Sequence, residues 1–170
     1  MKMKTKFFAI AIVMIAFSAK SFAQSAVTAS TTAVLVIPIS IAKTTDMNFG
    51  TVAASAASGT VLLDFADGRT TTGGASLPAG SLLQTTAVFT VTGEGTSGFS
   101  IAIPSAAITL TGSVSGSMTV DNFIADLGAS STLVGGSQTI KVKAILNVPA
   151  NAVAGTYSNA SDLLVTVNYN

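Results

Sequence analysis

Large apolar residues recur at every second position near the end of the chain, from Asp162 onward. This period of two is typical of a β-strand that buries one of its faces. The residues on the predicted inward face are Leu163, Val165, Val167 and Tyr169. The pattern therefore predicts that the chain ends within a regular strand.

The same period of two recurs through most of the chain, and clusters of Gly, Pro, Asn and Ser separate the alternating runs. The clearest runs are "GTVLLDF", "TTAVFTVTG", "FSIAIP" and "QTIKVKAILNVP". Roughly seven to nine strands at this spacing predict an all-β fold, with two antiparallel sheets packed as a sandwich. The side chains predicted to face the core are Val61, Leu63, Phe65, Ala87, Phe89, Val91, Phe99, Ile101, Ile103, Ile140, Val142, Ala144, Leu146 and Val148.

The first strand is predicted from the alternating run "TTAVLVIPISIAK". Its inward positions are Leu35, Ile37, Ile39 and Ile41. Pro38 stands in the middle of the run and has no N–H to donate, so we expect an edge strand or one that bends there. Two other stretches carry weaker patterns: "RTTTGGASLPAGS" is typical of a loop or a short irregular strand, and "IADLGASS" of a loop.

The first 23 residues have the pattern of a secretory signal peptide. Lys2, Lys4 and Lys6 precede an apolar run from Phe7 to Phe17, and a small-residue cleavage sequence that ends at Ala23 follows. The apolar run is too short for a membrane-spanning helix, which needs about 20 residues. We therefore expect cleavage between Ala23 and Gln24 and export of the chain without a membrane anchor.

Removal of the signal peptide changes the balance of charge. The remaining chain has four basic and seven acidic residues, so its net charge is −3. The basic residues are Lys43, Arg69, Lys141 and Lys143. Cations this sparse do not form a nucleic-acid surface. A surface with so few charges permits close approach by other protein. The chain also lacks Cys, so packing and hydrogen bonds have to stabilise it outside the cell without disulfides.

Catalytic chemistry has few candidates in this sequence. The absence of His and Cys excludes Ser-His and Cys-His nucleophiles and the usual zinc ligand sets. Asp64 and Asp67 flank the turn "ADGR", where a glycosidase pair or a calcium site could use them. We interpret them as turn residues that accept hydrogen bonds from the local backbone, and Glu94 as a polar loop tip. The sequence thus predicts a protein that is not an enzyme and has no metal or cofactor.

Tyr157 follows Gly155 a few residues before the last strand. A tyrosine at such a place can form a tyrosine corner, with its ring against the core and its hydroxyl bonded to backbone. The alternative interpretation is an ordinary half-buried tyrosine.

Five stretches together carry a family resemblance: "PISIAKTTDMNFGTV", "FTVTGEGTSGFSIAIP", "MTVDNF", "LNVPANAVAGTYS" and "VTVNY". They resemble a family of secreted bacterial domains of unknown function that is similar to fimbrial major subunits and to spore-coat-protein-U-like pilins of archaic chaperone–usher systems. The resemblance covers about Ile37 to Asn170. It implies an immunoglobulin-like sandwich that lacks one strand and is completed by a strand of the next subunit.

What the resemblance implies for this chain is a division into an N-terminal extension, residues 24–36, and a sandwich domain, residues 37–170. The extension is the candidate donor strand, and its alternating residues are Val27, Ala29, Thr31, Ala33 and Leu35. The groove would border the terminal strand, and a periplasmic chaperone and an outer-membrane usher would be partners before release to the cell surface. The alternative interpretation is that residues 24–32 are a leader and residues 33–42 are the first strand of a complete domain.

Two classes of function are consistent with these observations. The first is a structural subunit of an extracellular fimbria-like fibre or surface layer that serves adhesion by strand exchange between copies. The alternative is a self-contained secreted module that binds glycan or a surface protein through its Gly-rich loops.

Overall fold

The computed structural model describes residues 25–79 and 83–170. It divides the chain into a unit that ends at Leu35 and a larger unit, Val36–Asn170. The predicted signal peptide and its cleavage site between Ala23 and Gln24 lie outside the described residues. Over the described residues the chain forms strands and no helix. The strands are β1 Ser40–Thr45, β2 Gly59–Leu63, β3 Arg69–Gly73, β4 Ala87–Thr92, β5 Gly98–Ala102, β6 Ile108–Gly112, β7 Ser117–Ala125, β8 Ser130–Thr132, β9 Ser137–Val148, β10 Tyr157–Ser158 and β11 Thr166–Tyr169.

Strand β9 is the centre of the first sheet. One of its edges pairs with β7, and its other edge pairs with β4 along the first half and with β2 along the second half. All these pairings are antiparallel. β1 extends the sheet beyond β4, β3 extends it beyond β2, and β6 and β10 extend it beyond β7. With 12 residues, β9 is long enough to pair with both β4 and β2 along the same edge.

The second sheet has three strands, with β5 between β11 and β8, again antiparallel. Its inward side chains pack against β4 and the first half of β9. The buried residues of this first core cluster are Ala87, Phe89, Val91, Phe99, Ile101, Ala125, Leu133, Ile140, Val142, Val165 and Val167. The prediction of an all-β sandwich of two antiparallel sheets is thereby confirmed.

A second core cluster lies over the other half of β9, beside β2 and β7. Its buried residues are Phe49, Val61, Leu63, Ala75, Val120, Ala144, Leu146 and Val148. Arg69 at the start of β3 stabilises the segment that covers this cluster. Its guanidinium Nη1 donates to the carbonyl oxygen of Phe49 at 2.6 Å and to that of Thr51 at 3.0 Å.

The predicted inward faces agree closely with the observed burial. All five predicted residues of β9 are buried, as are Val61, Leu63 and the predicted residues of β4. Phe65 and Ile103, at the ends of their runs, are half-buried. In the last run the alternation is also correct, since Val165 and Val167 are buried while Leu164 is exposed.

The predicted bounds of the first and last strands are wrong. The first strand begins at Ser40 and not near residue 33, because Pro38 removes a donor from the ladder. The last strand begins at Thr166 and not at Asp162. The residues just before Thr166 keep the alternation of buried and exposed side chains. They have no strand to pair with, because β5 ends at Ala102, which is the partner of Thr166.

The strand count of the described chain is eleven instead of seven to nine, and β8 and β10 lie where no strand was predicted. β3 lies in the stretch whose pattern is typical of a loop or a short irregular strand. β3 comes from "RTTTG", where threonines and glycine give no apolar alternation. β8 comes from the polar residues "SST", which are the last two residues of the predicted loop and the residue after it. These short strands form because a neighbouring strand offers an edge with which to pair: β2 for β3, β5 for β8 and β6 for β10.

Candidate functional site

Two edge strands from different sheets approach each other at one side of the sandwich. β1 ends the first sheet and β11 ends the second. Their Cα atoms come within 8 Å of each other. We call this region, formed by β1, β11 and the adjoining residues Ile39 and Leu163, the β1–β11 seam.

Apolar side chains from both strands line the seam. Ile39 and Ile41 on the β1 side, and Leu163 and Tyr169 on the β11 side, are half-buried and pack against the first core cluster. Val165 and Val167 lie deeper and are buried. The seam therefore brings together six of the residues that the sequence singled out at the two ends of the domain.

Within residues 25–79 and 83–170 no strand pairs with the outer edge of β11, and alternate residues of β11 direct their backbone groups toward that edge. Asn170 donates its N–H to Gly98 of β5 at 3.1 Å, whereas Ile101, which faces Val167, donates to Ala129 on its other side at 2.8 Å. Successive residues of an antiparallel strand direct their N–H and C=O groups to opposite sides. Val167 and Tyr169 therefore direct theirs away from β5, toward the edge where a further strand could pair.

A group of hydrogen bonds holds the backbone just before β1. The Tyr169 hydroxyl donates to the carbonyl oxygen of Ile37 at 2.7 Å and accepts the backbone N–H of Glu94 at 2.6 Å. The Glu94 carboxylate accepts the N–H of Ile37 at 3.1 Å. We call these three residues the Ile37 clamp.

The clamp gives Glu94 a structural part that sequence reasoning missed. Glu94 was interpreted as a polar loop tip, but both its backbone N–H and its carboxylate are bonded in the clamp. Ile37 and Glu94 are 57 residues apart, and Ile37 and Tyr169 are 132 apart. No local pattern at Glu94 distinguishes this role, since the tertiary fold alone brings the three residues together.

The candidate donor residues that precede Val36 belong to the smaller unit. Residues 25–35 form no strand, and all of them are exposed, including Val27, Ala29, Thr31 and Ala33. The exposed fraction is 91% for Val27 and 98% for Leu35. Ile37, in the larger unit, is also outside any strand, and its exposed fraction is 58%.

The two carboxylates beside the "ADGR" turn bind backbone groups. Asp64 Oδ1 accepts the N–H groups of Ala66 and Gly68, each at 2.8 Å. Asp67 has a positive φ of 63° and accepts the N–H of Thr86 at 2.6 Å. Asp64 therefore binds the local backbone, as the turn interpretation expected, whereas Asp67 binds the backbone of a residue 19 positions away and not that of its own turn. Among the described residues, no three acidic side chains come together in a group that could hold a metal ion.

Tyr157 has the backbone hydrogen bond that was predicted for a tyrosine corner. Its hydroxyl donates to the carbonyl oxygen of Val153, four residues upstream, at 2.7 Å. A Cβ at Gly112 would lie 2.9 Å from the ring, so the ring packs closely over that glycine. The hydroxyl also donates to the carbonyl oxygen of Ser115 at 3.3 Å, and the strand that Tyr157 begins, β10, pairs with β6.

The fold and the seam define a β-sandwich protein in which two adjacent strands, β1 and β11, are edge strands of the described sheets. The model of the family described as "Domain of unknown function (DUF4402)" matches residues 39–169, and the chain belongs to that family. Comparison with curated proteins and with solved structures gave no match. In the part of the chain that the structure describes, no helix is long and apolar enough to span a membrane.

Proposed function

We propose that this protein is a non-catalytic structural subunit of an extracellular fimbria-like fibre or surface layer, built by donor-strand complementation and serving adhesion. The observation that carries the proposal is the β1–β11 seam. A strand from another copy would pair with the outer edge of β11 and place its alternate side chains over the half-buried apolar residues.

The position of the seam supports this assembly. An edge strand with free backbone groups is a template for pairing with another chain, and proteins that remain monomers usually blunt such edges with charge, proline or a bulge. β11 has the sequence "TVNY", which contains no charged residue and no proline. Its outward backbone groups at Val167 and Tyr169 are therefore open to an added strand.

The candidate donor, residues 24–36, has side chains of suitable pattern. The alternate residues Val27, Ala29, Thr31, Ala33 and Leu35 would fall on one face of an added strand. Most of them are small, so they would fill shallow recesses. Backbone hydrogen bonds would then supply much of the affinity, and the small side chains would set the register.

The remaining parts of the proposal concern export and partners. A signal peptide over residues 1–23 would deliver the chain to the periplasm. There a chaperone would cover the seam, and an outer-membrane usher would then receive the subunit from the chaperone. A subunit with an open apolar seam needs such cover, because exposed apolar edges otherwise aggregate.

Deletion of Gln24–Thr32 tests the donor assignment. The shortened chain should fold with the circular dichroism of a β-sandwich and should sediment as a monomer, whereas the chain that begins at Gln24 should form polymers visible by electron microscopy. If the shortened chain still forms fibres, the donor assignment is wrong. If the longer chain remains a soluble monomer, with or without a co-expressed chaperone, the subunit proposal itself is wrong.

Two matched double variants test which face of the donor is buried. Ala29→Asp with Thr31→Asp would place two charges against the seam, while Ser30→Asp with Thr32→Asp would place the same charges on the opposite face. The first pair should weaken subunit association by about 3 kcal/mol or more, because it buries unpaired carboxylates. The second pair should change association by less than about 1 kcal/mol. Equal effects of the two pairs would contradict an alternating donor strand.

A further inference from the structure

The Ile37 clamp holds the backbone at the point where the N-terminal segment joins the domain. Both backbone groups of Ile37 are bonded, the N–H by Glu94 and the C=O by Tyr169. The side chain of Ile37 is largely exposed and Pro38 follows it. Burial of the Ile37 side chain therefore contributes little to holding this part of the backbone. The two hydrogen bonds to Ile37 determine its position.

Glu94 and Tyr169, which bind Ile37 in the clamp, are themselves held in position. Gly93 has no side chain where Tyr169 approaches, and a Cβ there would lie 2.2 Å from the tyrosine hydroxyl. The backbone on either side of Glu94 is bonded to the loop before β9: Gly93 donates to Gly136 at 3.0 Å, and Gly136 donates to Gly95 at 2.7 Å. The position of Glu94 therefore depends on the loop around it as well as on Tyr169.

The clamp joins the two parts that strand exchange would use within one subunit. Tyr169 is the last residue of β11, whose outer edge would receive a strand. Ile37 is the first residue after the candidate donor segment. A hydrogen bond between them means that the receiving strand and the departure point of the donor segment are fixed relative to each other.

From this geometry we infer that Glu94 and Tyr169 are positioning residues for assembly, an inference that rests on the proposed function. They set the point from which residues 24–36 leave the domain to reach a second copy of this chain. A segment that leaves from one fixed point searches a smaller volume for its partner, which raises the effective concentration of the productive arrangement. Loss of the clamp lets the segment leave from residues closer to β1.

Tyr169→Phe removes the hydroxyl and keeps the ring, so it tests the inference in the chain that begins at Gln24. The Ile37 N–H is bonded to Glu94, and loss of the tyrosine hydroxyl removes the bonds that hold the Ile37 carbonyl and the Glu94 N–H in place. We therefore expect amide hydrogen exchange at Ile37 in the monomer to become about five-fold faster or more. We also expect polymer formation to slow by a similar factor. Tyr157→Phe is the matched control, because it removes the chain's other tyrosine hydroxyl and its bond to Val153.

Variants of Glu94 separate positioning from general stability. Glu94→Gln keeps an oxygen that can accept the Ile37 N–H and should assemble at close to the parent rate, whereas Glu94→Ala should behave like Tyr169→Phe. The inference is supported if Tyr169→Phe and Glu94→Ala are slow while Tyr157→Phe and Glu94→Gln are not. If the parent chain assembles and all four variants keep its rate, the clamp has no part in assembly, although the subunit proposal stands. If the parent chain never assembles, both the proposal and this inference fail.

Discussion

The hydroxyl of Tyr169 donates a hydrogen bond of 2.7 Å to the carbonyl oxygen of Ile37, across 132 residues of sequence. This bond connects the last strand of the second sheet with the backbone that leads into the first strand of the first sheet. The two sheets are thus joined at the seam by a side chain and not by strand pairing. In the described residues, β1 and β11 are therefore both edge strands at the seam.

The close approach of Tyr169 to Gly93 makes that glycine intolerant of a side chain. Gly93→Ala would place a methyl group 2.2 Å from the tyrosine hydroxyl and 3.1 Å from Leu133. We expect a loss of about 1–3 kcal/mol in the free energy of unfolding, as is usual for overpacking. Denaturant titration of the purified chain would measure it.

Gly98→Ala is the control for this change. An added Cβ at Gly98 comes no nearer than 3.3 Å to another side chain, that of Asn170 at the end of the chain. It should cost less than about 1 kcal/mol. If Gly93→Ala were as stable as Gly98→Ala, the position of the Tyr169 hydroxyl would not require the absence of a side chain at residue 93.

Hydrogen exchange can identify the open edge of β11 one amide at a time. The N–H groups of Val167 and Tyr169 point away from β5, so they should exchange quickly in the monomer. On assembly, their protection should rise about ten-fold or more, because an added strand would accept them. The Asn168 amide faces β5 and should be protected in both states. Unchanged exchange at Val167 and Tyr169 in polymers would place the subunit contact elsewhere.

Arg69 is expected to be important for the stability of the second core cluster. Its guanidinium binds the carbonyl oxygens of Phe49 and Thr51, and Arg69→Met would leave both without this donor. We expect a loss of about 1–3 kcal/mol in thermal or denaturant unfolding. Lys43→Met serves as the comparison. Lys43 pairs with Asp46 where both side chains are mostly exposed, so that change should cost less than about 1 kcal/mol.

Neighbouring leucines of β2 test the register of the first sheet. Leu63 is completely buried in the second core cluster, whereas Leu62 points to the other face and is half-buried. Leu63→Ala should destabilise the fold by about 2–5 kcal/mol. Leu62→Ala should cost less than about 1.5 kcal/mol. A larger effect at Leu62 would mean that β2 presents its opposite face to the core.

The parts of the fold that the sequence predicted well are the strands with one strongly apolar face. In β9, Ile140, Val142 and Leu146 alternate with Lys141 and Lys143, and each falls on the predicted side. The lysines are nevertheless only half-exposed. Lys141 Nζ donates to the carbonyl oxygen of Phe65 at 3.0 Å, and Lys143 lies 5.1 Å from the centre of the Phe65 ring.

The candidate site was predictable only in part. The apolar residues of the seam were found because they alternate within two runs, one before Lys43 and one after Asp162. The adjacency of those runs was not predictable from their own patterns. Glu94 gave no signal, because a carboxylate in a glycine-rich loop has the same local sequence whether it binds solvent or the backbone of a distant residue.

The sequence by itself determined which face of each apolar strand is buried, because side chains alternate across a strand and water excludes the apolar set. It also determined that the body would be built from sheets. Only the tertiary structure decided where strands end, which polar segments such as "RTTTG" pair, and which two edges meet. Those outcomes depend on hydrogen bonds between residues far apart in the chain. Every residue except proline carries the same backbone N–H, so the local sequence does not indicate which distant group accepts it.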